Sequence, residues 1–376
     1  MTFKKVLLID LWDGPGHWYY TGALYSELAK LIPLGQLHGI FNTSTDKQYY
    51  QGGMQHFIDA PTRLNRAQAG RIFLQPVIFG KFLYLLNEIR PDVVHIVFPH
   101  PWTSTAMCYL ARVSKLVATL HDITPHPGEN TWRNRYAINQ IIKFARTVIV
   151  HGPSSKAEAI EIYPRFRDLF LDIPFGIPAM DKKLADLTQY QPRELRYSPS
   201  NTIDLLLSGR MLPYKGIDIA LAAIIELHKT NPQIRLILAG EGDLTPYREL
   251  LRDAGSAALV INRRISTEEL SYLLKSVRAS LLPYRHASGS GVIAQAIAHN
   301  CPVIASDLGA LRDMVGGYHP AMLIKPNDAV DLARCIVQLI QRFPRNESLG
   351  PDIFAGRSGP KGFKAIAEQH TLNYSV

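Results

Sequence analysis

Cysteine is scarce in this chain: three in 376 residues, and Cys108, Cys301 and Cys335 lie too far apart for the paired spacing of a disulfide framework or a zinc site. That scarcity points to a reducing compartment, the cytoplasm. No apolar run approaches the roughly 20 residues that cross a bilayer, so any membrane contact is expected to be peripheral. Lys4-Lys5 is followed by only Val6 to Ile9 before Asp10 interrupts, too short a run for a signal peptide, and it reads as a first strand. There is no dense arm of Lys and Arg, which leaves nucleic acid without its usual electrostatic footprint. His95, His100 and His151 show no metal-ligand spacing, so no metal site is expected and they read as core or rim histidines. Internal repeats of solenoid length are absent as well.

What is present is an ordinary globular composition, 47% hydrophobic and 19% charged, in a chain long enough for two cores. The formal net charge is +9 and the pI is about 9.3, which favours partners that carry phosphates or present an anionic surface. The excess is spread evenly: 18 Lys and Arg against 13 Asp and Glu up to Pro178, and 23 against 19 after it.

Short β-branched runs alternate with longer helical patterns, the sequence form of parallel sheets with helices on both faces. Val6 to Ile9, Val93 to Val97, Leu116 to Leu120 and Val148 to Val150 read as buried strands; Leu24 to Leu31 and Ile138 to Ala145 read as helices. Residues 179–201 follow Pro178, hold two further prolines and no periodicity, and read as a linker. The pattern restarts with strands at Asp204 to Leu207, Arg235 to Leu238, Ala258 to Ile261, Ala279 to Leu282 and Pro302 to Ala305. Helices at Ile217 to His228 and Ser266 to Leu274 separate them. The expected domains are thus 1–178 and 202–350. The tail, 351–376, ends in a helix from Gly362 to Asn373 that is expected to pack back on the first domain.

The strand ends carry the chemistry. Ser208-Gly209-Arg210-Met211-Leu212-Pro213-Tyr214-Lys215-Gly216 places two cations on one loop before a helix, suited to the charge that develops on a departing diphosphate. Taken alone, the string is a solvated loop as readily as a phosphate site. Ala239-Gly240-Glu241-Gly242-Asp243 is a tight turn open to close ligand approach. Ser288-Gly289-Ser290-Gly291 leads into a helix near Val292, where free amides form an anion site or the serine simply caps the helix.

The succession of these motifs, with Ser266-Thr267-Glu268-Glu269-Leu270, Gln295-Ala296 and Pro302-Val303-Ile304-Ala305, resembles the donor-binding half of the retaining family 4 glycosyltransferases. The resemblance implies the GT-B fold, two Rossmann-like α/β domains facing across a cleft. It implies a nucleotide-diphosphate sugar as co-substrate, no cofactor and no divalent metal. Arg210 and Lys215 would hold the diphosphate. The backbone at Ile265 would meet the nucleobase, and Ser288, Gly289, Ser290 and Gly291 the phosphate and sugar, beside Gly209 and Gly240. The family usually has two glutamates with seven residues between them at this place; Ala287 and Gln295 stand there instead. Gln295 keeps an acceptor oxygen and adds a donor, enough for a ribose diol.

In the first half, Asp13-Gly14-Pro15-Gly16-His17-Trp18 resembles the family's N-terminal glycine loop, with Gly14 and Gly16 toward the donor. A strained turn with His17 and Trp18 merely packing is the other reading. His121, at the end of the strand Leu116 to Leu120, matches the family histidine that reaches the reacting sugar, with Asp122 as its orienter or as a helix cap. His17, Asp122 and His126 are candidates for the acceptor side, with Glu129 beside them. Ile72 to Ile89 interleaves aromatic and basic residues and is core, or, if one face is exposed, a contact with an anionic membrane, as suits a lipid-linked acceptor.

The expected activity is therefore transfer of a hexose, with retention, to a glycan or lipid-linked glycan in polysaccharide synthesis. Three rivals stand beside it. Gly289-Ser290-Gly291-Val292-Ile293-Ala294 with the later Asp307 fits a dinucleotide fingerprint, although such fingerprints normally open their domain. A nucleotide-sugar 2-epimerase would share the fold, and a sugar-nucleotide-binding subunit would keep binding without turnover.

Overall fold

The structure is a computed structural model that describes residues 4–61, 76–125, 131–178, 187–196, 201–342 and 361–375. It divides into two units, Met1–Pro178 with Lys361–Val376, and Ala179–Pro360.

The first unit runs β1 (Val6–Asp10), α1 (Pro15–Leu31), β2 (Leu37–Asn42), β3 (Met54–Ile58), α2 (Pro76–Ile89), β4 (Val93–Ile96), α3 (Pro101–Val113), β5 (Lys115–Thr119), α4 (Trp132–Phe144), β6 (Thr147–Val150), α5 (Pro153–Ile162) and β7 (Phe170–Asp172). The second runs β8 (Ile203–Ser208), α6 (Ile217–Thr230), β9 (Ile234–Ala239), α7 (Arg248–Ala254), β10 (Ala258–Ile261), α8 (Thr267–Ser276), β11 (Ala279–Leu282), α9 (Gly291–Ala298), β12 (Val303–Ser306), α10 (Gly309–Val315), β13 (Ala321–Ile324) and α11 (Ala329–Arg342). The helix α12 (Phe363–Ser375) then closes the described chain and belongs to the first unit.

Each unit is one parallel sheet, in the orders β3-β2-β1-β4-β5-β6-β7 and β10-β9-β8-β11-β12-β13. Successive side chains of a strand point to opposite faces, so β1 feeds two cores. Leu7 and Ile9 join Phe82, Trp102 and Ile141 on one face, while Val6 and Leu8 join Leu24, Leu28 and Ile366 on the other. The helices cover these faces with apolar stripes at helical spacing. In α11 the buried residues are Leu332, Cys335, Ile336 and Leu339; in α12 they are Phe363, Ile366, Ala367, His370 and Tyr374.

Both strand orders reverse at one point, β1/β4 in the first sheet and β8/β11 in the second. At such a switch the connections leave in opposite directions and open a crevice at the strands' carboxyl ends.

Four strands went unread in the sequence: β2, β3, β7 and β13. β2, Leu-His-Gly-Ile-Phe-Asn, is wholly buried yet broken by a histidine and a glycine; the other three are short or half-exposed. The segment read as a linker also differs from a plain connection, because within 187–196 two short 3-10 turns fold onto the second unit. Glu194 there forms a two-point ion pair with Arg263 at 3.0 and 3.1 Å. Arg263 also grips Glu269 of α8 at 2.6 and 2.9 Å.

Candidate functional site

In the second unit the chain leaves β8 at Ser208 and turns sharply at Gly209, whose φ is +95°. Pro213–Lys215 make one 3-10 turn, and Gly216, at φ +67°, is the left-handed residue that starts α6. The turn folds Lys215 inward until it is buried, with its Nζ donating to the Ser208 carbonyl at 2.6 Å. The ring of Tyr284 lies 5.4 Å from the ammonium. Burial, and then the nearby Arg210 charge, lower the Lys215 ammonium from 10.5 to about 7.

Glycine is a geometric requirement here. A Cβ on Gly209 would come within 2.5 Å of Lys215 Nζ, and one on Gly216 or Gly240 would collide with the carbonyl of Pro283 or of Gly209. The neighbouring loops are laced by backbone bonds: Gly209 donates to Ala239, Met211 to Glu241 and Gly240 to Ile261, at 2.8–3.0 Å. Asn262 exchanges two bonds with the Gly242 backbone, both 3.0 Å. The half-buried Ile265 follows, held between the Arg263 ion pairs and the Ser266–Glu269 capping box that opens α8.

The loop after β11 completes the group. Arg285 donates its backbone amide to Tyr214 at 2.7 Å, and its guanidinium holds Asp218 at 2.7 and 2.9 Å. Ser290 caps α9, its Oγ accepting from Ile293 at 3.3 Å. Val292, in the first turn of α9, lies 3.8 Å from a Cβ built on Gly209. Ser288 and Ser290 are buried, Gly289 is half-buried and Gly291 exposed. Half-buried Gln295, one turn into α9, makes no side-chain hydrogen bond among the described residues. Gly209, Lys215, Gly240 and the 288–292 segment thus meet at the β8/β11 switch, with Arg210 exposed beside them.

In the first unit Asp10 ends β1 fully buried. Burial raises its carboxyl to about 7, against the bonds from Thr21 Oγ1 at 2.6 Å and the Trp12 amide at 3.2 Å. The glycine loop follows: Gly14, at φ +122°, is the N-cap of α1, and neither Gly14 nor Gly16 has an atom within 4 Å of an added Cβ. His17 Nδ1 stands 3.8 Å from Asp10 Oδ1. Its ring meets Phe98 at 4.1 Å, and Phe98 stacks on His121 at 3.9 Å.

Half-buried His121 has both ring nitrogens engaged, Nε2 with the Val97 carbonyl and Nδ1 with His151 Nε2, each at 3.1 Å. His151, read as a core or rim histidine, is buried, and its Nε2 stands beside His121. The signal was available: β5 and β6 pair Thr119 with Ile149, so residues thirty apart stand side by side. His95 and His100 are in the core, His95 between Tyr374 and Thr119 and His100 capping α3. Asp122 is half-buried near His151. His126, Glu129 and the stretch Ile72–Gln75 lie outside the described residues. Asp10, His151, Arg263 and Arg285 are the positions that sequence reading missed. Among the described residues no three His, Cys, Asp or Glu side chains group closely enough to hold a metal ion, and no helix is long and apolar enough to cross a membrane.

Two family models match the chain, "Glycosyltransferase Family 4" over residues 39–169 and "Glycosyl transferases group 1" over residues 202–342. The chain belongs to the family 4 glycosyltransferases. Its two parallel sheets form the GT-B fold that the solved family structures share. It is 25% identical over 290 residues to a D-inositol 3-phosphate glycosyltransferase of Corynebacterium aurimucosum, covering 70% of this chain and 66% of that one. The chain spans about three fifths to two thirds of the length of the curated relatives it matches. Among solved structures, sucrose-phosphate synthase from Thermosynechococcus elongatus superposes with a TM-score of 0.70 at 19% identity, over 98% of each chain. Alr3699/HepE of Anabaena, in complex with UDP and glucose, gives 0.64 at 18% identity, over 99% of this chain and 97% of that one. The matched regions of this family 4 glycosyltransferase contain Lys215 and the α9 loop in the second unit, and His121 with His151 in the first.

Proposed function

We propose that this chain transfers a sugar from a nucleotide-diphosphate donor to a glycan or lipid-linked glycan acceptor, with retention at the anomeric carbon and without a divalent metal ion. The observation that carries the proposal is Lys215: a buried amine beneath a glycine, beside the first turn of a helix, at the sheet's switch point. An unpaired buried cation is costly, and an anion at that place relieves the cost.

In this reading the sugar's bond to the diphosphate breaks as its bond to the acceptor oxygen forms on the same face, and the departing phosphate takes the acceptor's proton. Lys215, Arg210 and the amides opening α9 stabilise the charge that grows on the diphosphate. Gly209, Gly240 and the Ser288–Gly291 loop let phosphate and sugar approach the backbone, Ile265 lies toward the base, and Gln295 toward the ribose. Gly14, Gly16, His17, His121 and Asp122 serve the sugar and acceptor from the first unit. The chain works in the cytoplasm, and α2, with Val77 and Tyr84 83% and 60% exposed beside Lys81, touches an anionic membrane.

The experiment is to incubate the purified chain with UDP-, GDP- and ADP-sugars, with and without glycan acceptors and in the presence of EDTA, and to score released nucleotide and product anomer. Acceptor-dependent release with retention supports the proposal. Isomerisation of the sugar nucleotide without acceptor, or binding without release, overturns it.

A further inference from the structure

The bonds around His121 and His151 contain a proton count that the two rings cannot satisfy while both are neutral. A carbonyl oxygen only accepts, so the 3.1 Å contact to Val97 puts a hydrogen on His121 Nε2. The 3.1 Å contact to Ile173 likewise puts one on His151 Nδ1. In two neutral imidazoles those are all the N–H groups there are. His121 Nδ1 and His151 Nε2 then face each other at 3.1 Å as two lone pairs. That contact becomes a hydrogen bond only when a third proton, and with it one positive charge, is shared between the rings.

The surroundings oppose that charge. Burial lowers both rings, His151 to about 4 and His121 well below its ordinary 6.5. Of the groups that face the pair, His17 on α1 and His95 on β4 disfavour a charge on His121. Asp122, after β5, favours one on His151. His370 on α12 is itself held well below its ordinary value by burial. Asp10, at the end of β1, reaches the pair only through His17. The remaining walls are aromatic: Phe98 stacked on His121, and the edges of Tyr20 and Phe175.

We propose that His151 is a positioning residue for His121, and that the two rings act as one acid–base group with a single inner proton. With the inner proton absent, the Val97 carbonyl holds His121 in the Nε2–H tautomer, and Nδ1 keeps an unshared lone pair that accepts from a hydroxyl able to displace His151 Nε2. With the inner proton present, Nδ1 is closed against His151 and accepts nothing. The pair therefore selects a hydroxyl donor and is shut by acid. The role as a hydroxyl acceptor rests on the transferase reading above; the shared proton does not.

The test has two arms. In the intact, unliganded protein, long-range nitrogen–proton NMR of the imidazoles reads tautomers directly. The expected result at neutral pH is Nε2–H on His121 and Nδ1–H on His151, with both rings moving together in one single-proton step on acidification. The opposite tautomer on either ring, or two independent steps, overturns the proposal whether or not the chain is a transferase. In the transfer assay, the wild-type rate holds through pH 6.5 and falls only well below it, because burial lowers both rings. His151→Gln supplies a permanent amide donor to Nδ1, whereas His151→Leu supplies none. Kcat/KM at pH 7.5 is expected to be about tenfold lower in the Gln variant than in the Leu variant, the ordinary worth of one hydrogen bond. The Leu variant keeps an acid limb set by His121 alone, because its Nδ1 still takes a proton. Equal rates in the two variants overturn the closing role of His151.

Discussion

At the scale of single residues, the informative positions are those whose environment conflicts with their chemistry. Lys215 is a lysine that the fold treats as a core residue, and burial opposes its charge. The unfolded chain keeps the proton up to 10.5, whereas the folded site keeps it only to about 7. The unfolded state therefore binds more protons between those values, and the folded protein gains stability from this group as pH rises from 7 toward 10. Lys215→Met keeps the packed stem and drops the charge. The melting temperature of the variant is expected to stay level between pH 7 and 9, where the wild type climbs. Transfer is expected to fall by about 100-fold or more, the usual loss of one preorganised charge stabiliser. Calorimetric melting across pH and single-turnover rates check the two halves separately; an unaltered pH slope would mean that the ammonium is not buried in solution. The sequence placed Lys215 on the loop after β8 but could not show that it is inside, because the 3-10 turn that folds it inward depends on a left-handed glycine and on Tyr284 from the loop after β11.

At the scale of elements, the site is a set of loops fastened to each other more than to their own helices. Gly240 touches the Gly209 carbonyl so closely that no side chain fits, at φ +147°. Gly240→Ala is expected to cost about 1–3 kcal/mol, the range for forcing a residue into such backbone, and to weaken nucleotide binding together with stability. Urea unfolding, with UDP binding measured by calorimetry, reads both; a variant as stable as wild type would show that the loops can part. The glycines themselves were legible, since Gly209, Gly216 and Gly240 follow strands at turn positions. What each one makes room for was not, because the neighbours come from other strands. Arg263 and Arg285 escaped notice for the same reason: their carboxylate partners, Glu194, Glu269 and Asp218, lie 69, 6 and 67 positions away.

At the scale of the whole molecule, the chain crosses from one unit to the other and returns. The helix α12 belongs to the first unit, where Phe363, Ile366 and Ala367 join the core face that holds Leu24 and Leu28. Tyr374 Oη meets His95 Nδ1 at 2.6 Å, and Lys115 Nζ donates to the Asn373 carbonyl. Each buried apolar side chain contributes about 1.5–3 kcal/mol, so losing this helix removes a large share of the roughly 5–15 kcal/mol that holds a domain together. A chain ending at Pro360 is expected to lose the first unit's melting transition while the second unit still melts cooperatively. Scanning calorimetry decides this, and two intact transitions would show α12 to be dispensable.

The alternation of strand and helix, the restart after residue 201 and the order of glycine loops could be read from the sequence because each depends on neighbours within a few positions. β1, β4, β5, β6 and β8 were legible as continuous buried runs, whereas β2 and β13 needed the sheet to identify them. The strand order, and with it the two switch points, belongs to the tertiary structure. So do the inward turn of Lys215, the raised carboxyl of Asp10 and the pairing of His121 with His151. Parallel strands are joined by long crossovers, so the residues that share a sheet edge stand tens of positions apart in the chain, and burial and side-chain pairing arise only where those edges meet.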